Sequence, residues 1–268
     1  MSSDLSAVRS MLFLPASNPR AMAKARQSKA DLVVLDLEDA VKPADKNAAR
    51  DAAAEAVASD WAVPVAVRIN AIGTEWHSLD LDAVARSKCQ YAVLPRASSA
   101  HLFHEVREAI GKPLLAMVET AGGVLAAQHI AVEAAALIAG TNDLRADLRL
   151  PLESTREPIS ASLQMIVLAA RAAGIPVLDG VFNQLNDPEG FAAECKDGRR
   201  LGFDGKSLIH PDQIDPCNAL FGPSAEEIER ARRLIEAFGG GAERFEDRMI
   251  ERMHVEAAQR VLARAGQL

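Results

Sequence analysis

The chain has 268 residues, of which 49% are hydrophobic, 25% charged and 4% aromatic, proportions that exclude intrinsic disorder and a fibrous repeat. That length is too short for two large domains and suits one barrel of ~250 residues with a tail. Acids outnumber bases, 37 to 30, for a net charge of −7; this argues against nucleic acid or an anionic membrane surface as the main partner but leaves room for a local basic pocket.

The opening segment, MSSDLSAVRSMLFLPASNPR, has an early acid and a proline inside its short apolar run, unlike a signal peptide. A first strand is predicted over 10–14. The polar loop Pro15-Ala16-Ser17-Asn18-Pro19-Arg20 then opens a helix carrying Lys24. Arg20 and Lys24 stand one turn apart near a helix start, which makes either a phosphate site or a solvated basic face. A second strand, 31–36, runs into Asp36-Leu37-Glu38-Asp39, and a helix over 43–58 starts with Pro43 in its first turn.

A third strand, 63–69, ends in Arg68-Ile69-Asn70, and a fourth, 91–94, is followed by a helix over 100–110 that Gly111 stops. The fifth, 113–118, ends in Glu119-Thr120; the sixth, 135–139, in Gly140-Thr141-Asn142-Asp143. A helix over 160–173 stops at Gly174, a seventh strand over 175–178 meets Asp179, and an eighth lies over 205–208. Most of these runs are β-branched and almost continuously apolar, as strands buried on both faces must be. Eight strand–helix units with no GxGxxG after any strand predict an α/β fold, a closed (β/α)8 TIM barrel rather than an open doubly wound sheet.

After a helix over 224–237, Phe238-Gly239-Gly240-Gly241-Ala242 breaks the pattern. The expected division is a barrel domain over 1–238 and a helical extension over 239–268. Phe245, Met249, Met253, Ala257 and Val261 recur there at helical spacing, giving a helix over 244–265 that packs on its own barrel or on a neighbouring subunit. The longest uncharged stretch, 158–170, has 13 residues, short of the ~18 a membrane helix needs. Cys89, Cys195 and Cys217 form no CxxC pair, which favours a reducing, cytoplasmic setting over a disulfide or zinc scaffold.

Barrel chemistry collects at the carboxyl ends of strands, and here those ends carry several acids and an arginine. Crowded carboxylates need a shared proton or cation, and an oxygen-ligated Mg2+ is the economical choice. Glu119 and Asp143, on neighbouring strand ends, are the candidate metal ligands; the alternative is that each caps the next helix. Arg68 is a candidate clamp for a substrate carboxylate, or else a salt-bridge partner of Asp36 or Glu38. His210, a lone histidine before Pro211, is weak evidence by itself. No GxSxG elbow, HExxH or phosphate-binding Walker loop occurs.

The ordered segments SMLFLPASNPRAMAKA, ADLVVLDLEDAV, AVRIN, MVETAGGV, AGTNDLRADL and GFDGKSLIHPDQI, and more loosely FEDRMIERMHVEAAQRVL, together resemble the citrate lyase beta-subunit-like branch of the HpcH/HpaI aldolase family. The resemblance implies a Mg2+-dependent barrel that cleaves or forms a C–C bond in a short 3-hydroxy-acyl-CoA thioester of the citryl, malyl or citramalyl type, with a small keto acid as co-product. It implies Glu119 and Asp143 as metal ligands, Glu119 also near substrate, and Arg68 facing the substrate carboxylate. Phe13, Arg20, Lys24, Ile209 and His210 would contact the CoA thioester. The tail resembles an element that crosses to a neighbouring subunit in a homo-oligomer, a trimer or a hexamer, and Glu251 stands where it delivers a catalytic acid. Two departures stand out. Asn142 replaces a usual Glu beside the metal, and Glu251 replaces a usual Asp. Thioester hydrolysis, or a ligand-binding or complex subunit of little activity, are the alternatives.

Overall fold

The computed structural model describes residues 5–267. Eight strands, β1 (Ser10–Pro15), β2 (Leu32–Asp36), β3 (Val65–Arg68), β4 (Tyr91–Leu94), β5 (Leu114–Val118), β6 (Ala136–Ala139), β7 (Val177–Asp179) and β8 (Gly205–Leu208), pair in chain order. All pairings are parallel, and β8 returns to β1 with Ser10 opposite Lys206, which closes the barrel. The continuous apolar runs follow from this closure. Met11, Leu32, Val34, Ala66, Tyr91, Leu115 and Ile138 share the barrel interior. Their alternates, such as Val33, Leu35, Ala92 and Leu137, are equally buried on the outer side, where the helical layer of such a barrel lies.

The helices between strands are α1 (Pro19–Ala25), α2 (Lys46–Val57), α3 (His77–Arg86), α4 (Ala100–Ile110), α5 (Ala121–Ala131), α6 (Thr141–Asp147), α7 (Ser160–Ala173) and α8 (Pro188–Leu201), with α9 (Ile214–Phe221) after β8. Gly111 and Gly174 end α4 and α7 in the left-handed region, at φ 66° and 70°, where a Cβ is costly. Pro43 opens a single 3-10 turn, Pro43–Asp45, ahead of α2, so the helix expected over 43–58 begins later than its proline.

The chain forms two compact units, divided between Asn218 and Ala219. The boundary expected at residue 238 is therefore too late. The second unit holds α10 (Ala225–Ala237), a hairpin of β9 (Glu243–Phe245) and β10 (Arg248–Ile250), and α11 (Arg252–Arg264). Helix α10 belongs with it because Ala231 packs on Ala258 and Leu262 of α11, with Ile228, Leu234, Ile235 and Val261 around them. The continuous helix expected over 244–265 is likewise corrected. Glu246 sits at φ 52° and turns the chain, pairing Arg248 with Phe245, and the helix starts only at Arg252. No helix among the described residues is long and apolar enough to cross a membrane.

Candidate active site

Glu119 follows the last residue of β5 and is only 2% exposed. Its Oε1 accepts a hydrogen bond from the Arg96 amide at 2.6 Å. Arg96 itself is held at φ 50°, so a strained turn after β4 aims that amide. Oε2 lies over Gly140, where any Cβ would collide with the Cβ and Oε2 of Glu119. Thr120, not Glu119, caps α5, its Oγ1 accepting from the Gly123 amide at 3.0 Å. Gly140 occupies the cap of α6, with Asp143 in its first turn. The capping alternative thus fails for Glu119, whereas Asp143 does stand where a carboxylate suits the start of α6. Asp143 makes no hydrogen bond or ion pair among the described residues, and it lines the same cavity as Glu119, a space of about 500 Å³.

Arg68 ends β3 and forms the salt bridges to Asp36 and Glu38 that were one of its two expected roles. Its Nε and Nη2 donate to the two oxygens of Asp36 at 2.8 and 2.6 Å. Nη1 stands 2.9 Å from Glu38 Oε2, an ion pair without hydrogen-bond alignment, and the guanidinium lies over the Phe13 ring with its Cζ 5.4 Å from the centroid. Burial opposes its charge, yet Asp36 and Glu38 outweigh that and hold the guanidinium firmly protonated. It still borders the cavity. Asp36 also accepts from the Glu38 and Ala40 amides at 2.8 and 3.1 Å, so this acid is structural.

Two buried carboxyls beside Arg68, Glu119 and Glu38, are strongly perturbed. Burial first, then Glu38 and Asp143, push Glu119 up to about 8 against the Arg96 amide and Arg68. Glu38 is likewise raised to about 8, by burial ahead of the opposing Arg68, with Asp39, Asp36 and Asp143 adding to the rise. Arg68 alone does not offset the crowding of these acids. No group of three or more His, Cys, Asp or Glu side chains spaced to hold a metal occurs among the described residues. A pair of carboxylates suits a hard ion that keeps several waters and takes further oxygens from its substrate, which is the habit of Mg2+. The absent side chain at Gly140 and the unpartnered Asp143 fit such an ion.

A second space of about 850 Å³ collects all five residues expected at a thioester cofactor: Phe13, Arg20, Lys24, Ile209 and His210. Phe13, Leu14, Pro15 and Ile209 line both spaces, so the groove and the acid cavity meet at the seam where β1 pairs with β8. Arg20 and Lys24 are exposed on α1. His210 Nδ1 accepts the Asp212 amide at 3.2 Å, and Gln213 Oε1 accepts the Ile209 and His210 amides at 3.1 and 3.3 Å, which fixes this corner.

Some rim residues do not join the site. Asp179 points outward to Arg156 at 2.7 Å and to the buried Lys206 Nζ at 3.1 Å, and Glu194 holds Lys206 at 2.7 Å. Asn70 is buried beneath the rim, donating to Asp80 at 2.6 Å and accepting from Lys46 at 2.6 Å. Glu251 lies in the second unit, exposed at the head of α11. Sequence reasoning missed Gly140, Arg96, Ser207 and the Asn142–Asn183 amide pair at the cavity, whose closer bond is 2.8 Å. Gly140 left a trace in the sequence, a glycine directly between a strand and an acid-bearing turn, and Asn142 was singled out there, though not its pairing with Asn183.

A family model described as HpcH/HpaI aldolase/citrate lyase matches residues 9–211. Among curated proteins the chain is 40% identical to a (3S)-malyl-CoA thioesterase of Cereibacter sphaeroides, over 96% of this chain and 94% of that protein. It is 34% identical to the citrate lyase subunit beta of Leuconostoc mesenteroides, over 96% and 93%. Among solved structures, CitE from Mycobacterium tuberculosis, in complex with magnesium, acetoacetate and coenzyme A, superposes with a TM-score of 0.85 at 35% identity, covering 98% of this chain and 100% of that one.

Proposed function

The chain belongs to the HpcH/HpaI aldolase/citrate lyase family, and from that premise we propose that it is a Mg2+-dependent carbon–carbon lyase acting on a short 3-hydroxy-acyl-CoA thioester of the citryl, malyl or citramalyl type. Cleavage yields an acyl-CoA and a small keto acid; the reverse direction forms the bond. The observation that carries the reading is the shared cavity of Glu119, Asp143 and Arg68, continuous with a groove that offers Arg20 and Lys24. An acid pair short of positive charge sits at one end and a basic exit at the other, which suits a ligand with an oxo-acid head and a phosphate-bearing tail.

Glu119 and Asp143 would hold the ion. Bound Mg2+ supplies a Lewis acid for oxygens of the keto acid. Arg68 adds a fixed positive charge beside them, and its orientation is locked by Asp36, so no reorganisation is needed as negative charge develops. Phe13 and Ile209 line the passage between the two spaces, and Arg20 and Lys24 would meet the phosphates of the CoA tail. Glu251 is the candidate carboxylate for proton transfer, carried to a second copy's cavity in a homo-oligomer. The exposed Met249 and Met253 beside it, at 66% and 61%, are apolar surface that a second copy would cover. Free buried thiols at Cys89, Cys195 and Cys217 agree with a cytoplasmic enzyme.

A second reading is hydrolysis of the same thioester, favoured by the malyl-CoA thioesterase relatives at 40% identity. Purified protein with Mg2+ and a panel of malyl-, citramalyl- and citryl-CoA, assayed for free CoA and for keto acid, separates the two. Keto acid released without free CoA supports the lyase. Free CoA without keto acid overturns it in favour of hydrolysis.

A further inference from the structure

On the proposed reading of the site, we propose that the Ser207 hydroxyl is a hydrogen-bond donor to the thioester carbonyl oxygen of the bound acyl group, positioned where the groove opens into the acid cavity. On β8, Lys206 points outward to Glu194 and Asp179, so Ser207 points into the barrel, beside Met11 of the interior cluster. Ser207 is 2% exposed, and its Oγ has no hydrogen-bond partner among the described residues. A buried hydroxyl without a partner is unfavourable for folding. It also lines the acid cavity.

Position decides what such a donor would meet. Ile209, two residues on and just past the end of β8, lines both spaces. A ligand running from the basic groove to the acid pair passes this point between its tail and its oxo-acid head, and in an acyl-CoA the group between those parts is the thioester. Of the other side-chain donors on the wall, Arg68 is held by Asp36 and Glu38, Asn142 and Asn183 hold each other, and Thr141 stands at the start of α6, on the β6 side of the cavity. Carbon–carbon cleavage next to a thioester leaves negative charge on that carbonyl oxygen. A neutral donor fixed there gains strength as the charge develops.

The test uses acetyl-CoA labelled with 13C at the carbonyl, whose stretching band in difference infrared spectra reports hydrogen bonding without turnover. Bound to the wild-type protein the band should fall in frequency; in Ser207→Ala it should return toward the free value. Acetyl-CoA affinity by calorimetry should change less than about threefold, while turnover of the preferred hydroxyacyl-CoA falls about 100-fold. Ser207→Thr, which keeps the hydroxyl, should retain the lowered band. An unshifted band in the wild type, or the same band in Ser207→Ala, overturns the proposal even if lyase activity is present. A shifted band lost in Ser207→Ala, from a protein that turns over no hydroxyacyl-CoA, keeps the Ser207 assignment and defeats the lyase reading instead.

Discussion

Gly140 lies against Glu119 so closely that a methyl group at residue 140 would occupy the space now taken by Oε2 of the carboxylate. The backbone of Gly140 has an ordinary φ of −87°, so this glycine is required for room and not for conformation. Gly140→Ala should therefore fold and still displace the Glu119 carboxylate. Activity should fall about 100-fold, the usual effect of misplacing a reacting group by an ångström. Thermal stabilisation by Mg2+ plus pyruvate should be lost. Undiminished stabilisation would remove Glu119 from the ion site.

Glu119→Gln and Asp143→Asn test the pair directly. Each deletes one charge at nearly constant volume, so both variants should remain folded while Mg2+-dependent stabilisation by keto acids disappears. Tm measured with and without the ion in parallel with the wild type is sufficient. If either variant keeps the full shift, that residue is not a ligand.

The pH dependence has a definite sign. Glu38 and Glu119 are raised from 4.5 to about 8 in the fold, by burial first and by neighbouring charges with it. Between those values the native state holds protons that the unfolded chain has released. Stability without metal should therefore decline from about pH 5 to pH 8. Added Mg2+ replaces the protons, so its affinity should climb over the same range and flatten the decline. Melting curves in EDTA and in excess Mg2+ across this range check both statements; a metal-free Tm that rises with pH contradicts the assignment.

Arg68→Met should destabilise the protein by about 3–5 kcal/mol, since Asp36 and Glu38 would be left buried without their counter-charge. Arg68→Lys should recover only part of this, because an ammonium cannot repeat the two-point contact with Asp36. Chemical denaturation of the three proteins gives the ranking. Equal stability of all three would mean that the pair adds little.

The turn at Arg96 offers a milder test. A non-glycine residue at φ 50° carries strain of roughly 1 kcal/mol, and the contact it supports uses only a backbone amide. Arg96→Gly should keep Mg2+ binding and raise Tm by a few degrees. Loss of Mg2+ binding would show that the side chain, not the amide, is what matters there.

Most of the barrel was legible because its strands are buried on both faces, which for all but β8 leaves an apolar run that no surface segment imitates. The acids at strand ends were legible for the same reason, since a charge directly after such a run has few structural excuses. Their outcomes were less so. Asp36, Glu119 and Asp179 look alike in sequence, yet one clamps Arg68, one faces the cavity and one turns outward to Arg156 and Lys206. Strand register decides among them, and a single residue of register reverses the face. The tail was misread because Phe245, Met249 and Met253 keep helical spacing while a left-handed Glu246 folds the chain into a hairpin. Ser207 was hidden inside a segment in which only His210 drew attention by its chemistry.

The joint between β1 and β8 is also where the two ends of the barrel sequence find each other, the most distant pairing in the chain. The doorway for a ligand does not exist until that last stitch is made. Occupancy therefore acts as a latch on ring closure: anything that binds across the joint favours the closed ring over a chain whose eighth strand has come loose. A limited-proteolysis nick near β8 should in consequence become slower when the ligand is present, with the protection felt at residues far from any that touch it.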